Sequence, residues 1–209
     1  QEDQAETSAF LGVAGMLALG LMFMILVIQF NSISRPLIIL SEILFSVIGV
    51  LIGFSLFKME ISIVMSGVGI MALAGIVVRN GVLLVEFTDL LISQGVELRE
   101  AIIEASKTRM TPVLLTAMAA TLGLVPLAVG FNIDFVTLFS EFNPHIYFGG
   151  DNAAFWAPLS WTMIFGLIFG TFLTLFLVPV MYLISVRLKA RLVAWLFGSA
   201  NKKSEGPVT

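Results

Sequence analysis

An all-α membrane protein with five transmembrane helices is the fold class that this sequence predicts, on three observations. Hydrophobic residues make up 58% of its 209 residues against 12% charged, and the mean hydropathy is +1.04, which lies outside the range of soluble globular chains. Five separate segments each hold the roughly 20 apolar residues that a helix needs to cross a 30 Å hydrocarbon core. Lys and Arg collect in alternate connections between those segments, the pattern of a multi-pass chain.

The spans are expected at residues 9–30, 36–57, 61–88, 112–130 and 158–186. Residues 1–8 are acidic and have neither the basic start nor the small-residue cleavage site of a secretory signal, so the chain is expected to begin in mid-protein. Pro36 and Pro112 are read as first-turn residues that mark helix starts, where the missing N–H costs nothing. Between the third and fourth spans, Leu98, Ile102 and Ala105 fall at three-and-four spacing among Glu100, Glu104 and Lys107, which predicts a short amphipathic surface helix over 97–108. The segment 131–157 carries eight aromatic residues, Phe131, Phe135, Phe139, Phe142, Tyr147, Phe148, Phe155 and Trp156. Aromatics of this kind gather at the membrane–water interface, and the segment is expected to be a loop or a shallow interfacial helix. A polar tail follows the fifth span over 187–209.

Charge sets the orientation. Arg35, Arg99, Lys107, Arg109, Arg187, Lys189, Arg191, Lys202 and Lys203 fall on one side of the five spans, and only Lys58 falls on the other. That other side carries Glu2, Asp3, Glu6, Asp134, Glu141 and Asp151. Short cytoplasmic loops are enriched in Lys and Arg, so the N-terminus is expected outside and the C-terminus inside.

Several function classes drop out. With no cysteine and a single histidine, His145, the chain has no disulfide framework, no thiolate site and no histidine cluster. The ten methionines lie in apolar runs and show no converging spacing for a soft metal. A net charge of −3 gives nucleic-acid binding no support. No G-x-x-x-x-G-K-[ST] phosphate loop is present, and no nucleophile and base pair suggests an enzyme, so neither a cofactor nor a metal is expected.

The stretches FMILVIQFNSISRPLIIL (23–40), GVGIMALAGIVVRNGVLLVEF (67–87), ELREAIIEASKTRMTPVLLTAMAATLGLVPLA (97–128) and TLFLVPVMYL (174–183) carry a resemblance. In this order they resemble the last five membrane helices of a resistance-nodulation-division (RND) efflux transporter of the hydrophobe/amphiphile multidrug type. The RNGVLLVEF, TRMTPVLLT and LGLVPLA segments are the most specific. The resemblance implies that these five helices form the C-terminal half-bundle of an inner-membrane permease subunit, with residues 1–8 ending a large extracytoplasmic domain. It further implies a homotrimer, a periplasmic adaptor, an outer-membrane channel, and proton/substrate antiport of organic compounds such as drugs. In the family an aspartate pair in the N-terminal half works with a lysine and a hydroxyl residue of the second half. The lysine position falls on Arg79 and the hydroxyl position on Thr116, and the family's arginine near the cytoplasmic mouth matches Arg109.

Arg79 is a lone cation inside a run of about 27 mostly apolar residues, where a charge costs roughly 2.5–3.5 kcal/mol on insertion scales and marks function by default. A guanidinium does not release its proton as an ammonium can. Arg79 is therefore expected to be a fixed countercharge that pairs with upstream carboxylates, or else a structural arginine locking two helices. Asn80, about 100° further round the helix, joins the same network or serves as interhelical glue. Thr116 either bonds a helix carbonyl or relays a proton through water. Glu42 lies about 9 Å inside the second span, matches no family relay position, and is read as a hydrogen-bonded acid, a proton-transfer group or a carboxylate snorkelling to the interface. Glu86 and Asp89, near the inner end of the third span, are expected to reach the interface. Gly67, Gly69, Gly75 and Gly81, with the Gly166/Gly170 G-x-x-x-G, are expected to allow close helix approach. The rival readings are an RND exporter of metal ions or lipids, and a standalone membrane scaffold or assembly subunit.

Overall fold

The computed structural model describes residues 2–134 and 145–201. Helices α1 (Glu2–Phe30), α2 (Ser34–Phe57), α3 (Ile63–Ser93) and α4 (Leu98–Ala128) are followed by strands β1 (Phe131–Asp134) and β2 (His145–Phe148) and by α5 (Asp151–Asn201). All five helices are long and apolar enough to cross a membrane, as expected from hydropathy. The readings for Phe135, Phe139, Glu141, Phe142 and the tail 202–209 lie outside the described residues.

Short connections make consecutive helices antiparallel neighbours. Asn31 turns the first corner with φ 44°. Lys58 closes α2 in the left-handed region, and the backbone N–H groups there reach Phe54 O and Ser55 O. The Ser62 hydroxyl accepts from Met65 N at the start of α3, satisfying one of the orphan donors of a helix N-terminus.

The centre of the bundle is the packing of α2, α3 and α5 on one another, with α4 against α3 and α5. Lipid is as apolar as leucine, so van der Waals fit between backbones, rather than removal of oil from water, holds such helices together. Glycines supply that fit. A Cβ at Gly49 or Gly53 would fall on Phe169 or Phe165, and one at Gly166 would fall on Leu73. The bulkier Phe165 then stacks between Phe57 and Trp161, with ring centroids 5.3 Å away on each side. Two clusters result, one of Val50, Phe54, Leu73, Val77 and Leu167, and a second built on Ile39, Val85, Ala105 and Val178. Large apolar side chains such as Met16, Ile28 and Leu56 face outward, as suits a surface wetted by lipid. Helix α1 packs least, lying mainly against α2 and α3.

Three expectations need correction. Residues 97–108 do not form a separate surface helix, and Pro112 does not begin a span, because α4 runs unbroken from Leu98 to Ala128 with Pro112 and Pro126 inside it. The apolar stripe Ala101, Ile102 and Ala105 is fully buried, and Ile102 and Ala105 pack in the cluster of Leu84 and Val85. That packing holds the helix on the near side of Pro112 and offsets the roughly 3 kcal/mol that an interior proline costs. Residues 2–8 continue α1, and α5 extends in both directions beyond the expected 158–186 span. Finally, the described part of the aromatic segment is strand and then helix. Phe131 pairs opposite Phe148 and Asp134 opposite His145 in an antiparallel pair, flanked by Gly130, Gly149 and Gly150 at positive φ, and residues 151–157, with Phe155 and Trp156, already belong to α5. Asn132 Nδ2 donates to Gly130 O and Gly149 O at 3.0 and 2.8 Å, tying the hairpin base together.

Candidate functional site

Helix α3 has two faces of different character. Ser66, Gly69, Leu73, Val77, Asn80, Gly81, Leu84 and Thr88 are buried against the neighbouring helices. Val68, Ala72, Gly75, Arg79, Leu83, Glu86 and Leu90, again at three-and-four spacing, form an exposed stripe. Arg79 stands in the middle of that stripe and has no ion pair or hydrogen bond among the described residues. Gly75, one turn away, has open space where a side chain would stand. Asn80 points to the packed side, so the structure puts these two neighbours on different faces of α3.

Helix α4 runs antiparallel to α3, and two contacts set its register. The Arg109 guanidinium lies 4.8 Å from the Phe87 ring centroid, a cation–π distance. Ala120 and Leu124 pack on the cluster that contains Leu73 and Val77. Interpolating between these contacts places Thr116 at about the height of Arg79 and Asn80. Thr116 is exposed, and its hydroxyl donates to Val113 O at 3.0 Å, the local helix bond that a threonine makes when nothing else is in reach. Arg109 is half-buried, and its Nε has no partner. Glu86 accepts from Gln29 Nε2 of α1 at 3.1 Å.

Glu42 lies elsewhere, on the packed side. It is 1% exposed and surrounded by α3 and α5. Its Oε2 is 2.6 Å from Thr174 Oγ1, and the same hydroxyl is 2.9 Å from Gly170 O. Its Oε1 has no hydrogen-bond partner and occupies the place that a Cβ on Gly81 would take. Ser46, one turn along α2, is fully buried beside Gly170, with its hydroxyl unpartnered. Glu42 therefore does not snorkel. Hydropathy marked this carboxyl as unusual, but its partner is 132 residues away in sequence, and no local pattern points to Thr174.

A fourth polar group closes the end of the bundle that carries Arg35. Arg35 Nη2 lies 2.9 Å from Asp89 Oδ1, and the Tyr182 hydroxyl donates to that same oxygen at 2.5 Å. Arg35 Nη1 also donates to Phe30 O at 3.2 Å. Asp89 thus links α2, α3 and α5 instead of simply reaching the interface. Sequence reading passed over Tyr182 because it sits in an apolar run.

The comparisons with known proteins agree with one another. Residues 1–186 match the model of the AcrB/AcrD/AcrF family. The chain is 34% identical over 180 residues to the swarming motility protein SwrC of Bacillus subtilis, covering 86% of this chain and 15% of that protein. It is 34% identical to the multidrug resistance protein MdtC of Erwinia tasmaniensis, covering 83% of this chain and 15% of that one. Among solved structures it is similar to a heavy metal efflux pump in two crystal forms, with TM-scores of 0.70 and 0.68 at 29% and 31% identity, covering 88% of this chain and 16% of the pump. The chain thus spans about 15% of the length of the curated relatives it matches. Five membrane helices, a lone arginine on an open helical stripe and these matches lead to one conclusion: the chain belongs to the AcrB/AcrD/AcrF family of RND efflux transporters.

Proposed function

We propose that this chain is the C-terminal membrane half of a transporter that exports organic compounds, drugs among them, across the cell envelope in exchange for protons. Its share of the work is energy conversion. The observation that carries the reading is the open stripe of α3, where Arg79 stands among small and apolar residues with no countercharge among the described residues. A cation in that position calls for a carboxylate on a covering helix. The N-terminal half supplies it as an aspartate pair. Arg79 keeps its proton throughout, and the aspartates carry the transported ones, pairing with Arg79 when ionised and releasing it when neutral. Removing one member of a buried ion pair costs about 3–5 kcal/mol, enough to bias a helix arrangement between two states.

Thr116, level with Arg79 and exposed on α4, passes the proton through water, while Asn80 ties the turn that carries Arg79 to the bundle. Arg109 and Glu86 stand nearer the inner end and set the field at the mouth of the relay. The transporter works as a homotrimer in the bacterial inner membrane with a periplasmic adaptor and an outer-membrane channel. The distribution of Lys and Arg supports a periplasmic N-terminus and a cytoplasmic C-terminus. The likeness to the multidrug resistance proteins MdtC favours drugs as cargo. The heavy metal efflux pump is the observation that favours metal ions instead.

The test measures accumulation of a fluorescent cationic dye in host cells, with and without a protonophore. Expected is low accumulation that rises to the level of transporter-null cells on adding the protonophore, or on Arg79→Ala without it. Dye export that persists in Arg79→Ala cells and still collapses with the gradient would remove Arg79 from the relay. Unchanged dye levels throughout would favour the scaffold reading.

A further inference from the structure

The relay described above uses the open face of α3 and leaves the buried carboxyl of Glu42 without a task. Three helices are shaped around that group. α3 contributes Gly81, where any side chain would displace Oε1. α5 contributes Thr174 Oγ1 at 2.6 Å and, through Gly170, the closeness that packs Ser46 against it. α2 carries Glu42 and Ser46 themselves, at 1% and 0% exposure.

The Thr174 hydroxyl has one proton and two oxygens within reach, Glu42 Oε2 and Gly170 O. When that proton goes to the Gly170 carbonyl, the remaining bond requires Glu42 to be the donor, which only the neutral acid can be. Among the described residues, no cation lies against Glu42 to compensate its ionised form. α1 has no charged residue between Glu6 and its end, and α5 has none between Asp151 and Arg187. On α3, Arg79 lies two residues from Gly81, about 200° round the helix and so on the opposite face. Glu86 is bonded to Gln29, and Asp89 is held by Arg35 and Tyr182. Arg35 is on α2 itself, about two turns from Glu42 and engaged with Asp89.

We infer that Glu42, Thr174 and Ser46 form a second proton-binding site, enclosed by α2, α3 and α5 and separate from the Arg79 face. In the packed arrangement Glu42 holds the proton and donates it to Thr174 Oγ1. The unpartnered Oε1 and Ser46 Oγ are the acceptor and donor that the ionised form uses when the helices part and water enters. Helix α5 is built to part there. Gly170 precedes Thr174 by one turn, and Pro179, inside α5, removes the backbone bond to Leu175 O just after it.

The test needs no variant. Native membranes are treated with dicyclohexylcarbodiimide, which enters lipid and modifies protonated carboxyls, and the Glu42 peptide is followed by mass spectrometry across pH. Expected is modification that falls at least about tenfold from mildly acidic to alkaline pH and is indifferent to sodium. Modification that does not change with pH, or no modification of Glu42 while other membrane carboxyls react, overturns the proposal. Protection by sodium at acidic pH overturns it too, making sodium the occupant. A second reading uses the conservative Glu42→Gln, which keeps the shape. It removes a protonated-carboxyl band from the acid-minus-alkaline infrared difference spectrum of the purified transporter, and a spectrum identical to wild type refutes the site. Both readouts report Glu42 chemistry without transport, so the site stands or falls independently of Arg79.

Discussion

Gly81→Ala tests whether α2 and α3 really meet through Glu42. Two effects oppose each other. Alanine favours a helix over glycine by about 1 kcal/mol, whereas its methyl group would land on Glu42 Oε1 with the rest of the carboxyl immediately behind. Overpacking a filled interior costs about 1–3 kcal/mol, and Glu42 is enclosed at 1% exposure. The net expectation is a loss of about 0–2 kcal/mol. The sharper quantity is the coupling. In a Glu42→Ala background the clash is gone, and the same Gly81→Ala change stabilises by about 1 kcal/mol from helix propensity alone. A double-mutant cycle therefore gives an interaction of about 1–3 kcal/mol, read from reversible unfolding of the purified transporter in mixed micelles. Gly123→Ala, with nothing near its would-be Cβ, is the control that gains propensity without a clash. Additive effects of Gly81→Ala and Glu42→Ala would refute the contact and with it the placement of Glu42.

The Arg35–Asp89–Tyr182 cluster is partly exposed, at 34% and 23% for the ion pair. Tyr182→Phe is expected to cost about 0.5–1.5 kcal/mol and Arg35→Ala no more than about 1 kcal/mol, the latter shrinking in high salt; thermal unfolding at two ionic strengths checks both. Arg109→Ala loses the stack on Phe87, worth about 0.5–2 kcal/mol, and Phe87→Leu should lose a similar amount with little further effect in the Arg109→Ala background. Gly75→Leu fills the open stripe beside Arg79. It is expected to lower export beyond any loss of expression, as measured by dye efflux normalised to the amount of transporter in the membrane.

Much of this fold is legible in one dimension. The expected ends at 30 and 57 and the expected starts at 36 and 61 fall within two residues of those of α1, α2 and α3, because hydropathy measures the same quantity that the bilayer selects, whereas α1 begins seven residues earlier and α3 ends five later, where the chain turns polar. Helix α4 was less legible. Pro112 is a sound local signal for a start, but the burial of Ile102 and Ala105 against α3 is a tertiary fact that overrides it. The hairpin 131–134/145–148 is marked only by Gly130 and Gly149, since its aromatic residues suit an interface in any conformation. The two titratable candidates show the same limit. Arg79 could be picked out as a lone charge, while its exposure on a stripe follows from which neighbours α3 has. Glu42 could be picked out equally well, yet Thr174 and Gly81, which define its surroundings, come from helices that only packing brings together.

The central claim is that Arg79 is the fixed charge of a proton relay. The most direct measurement reconstitutes the complete transporter in liposomes loaded with a pH-sensitive dye and follows substrate-dependent proton flux under an imposed pH gradient. The account predicts that Arg79→Ala abolishes the flux while the transporter still inserts into the liposomes, and that Arg79→Lys, which keeps a cation but not the planar fork, retains part of it. Substrate-coupled proton flux at the wild-type rate in Arg79→Ala would contradict it.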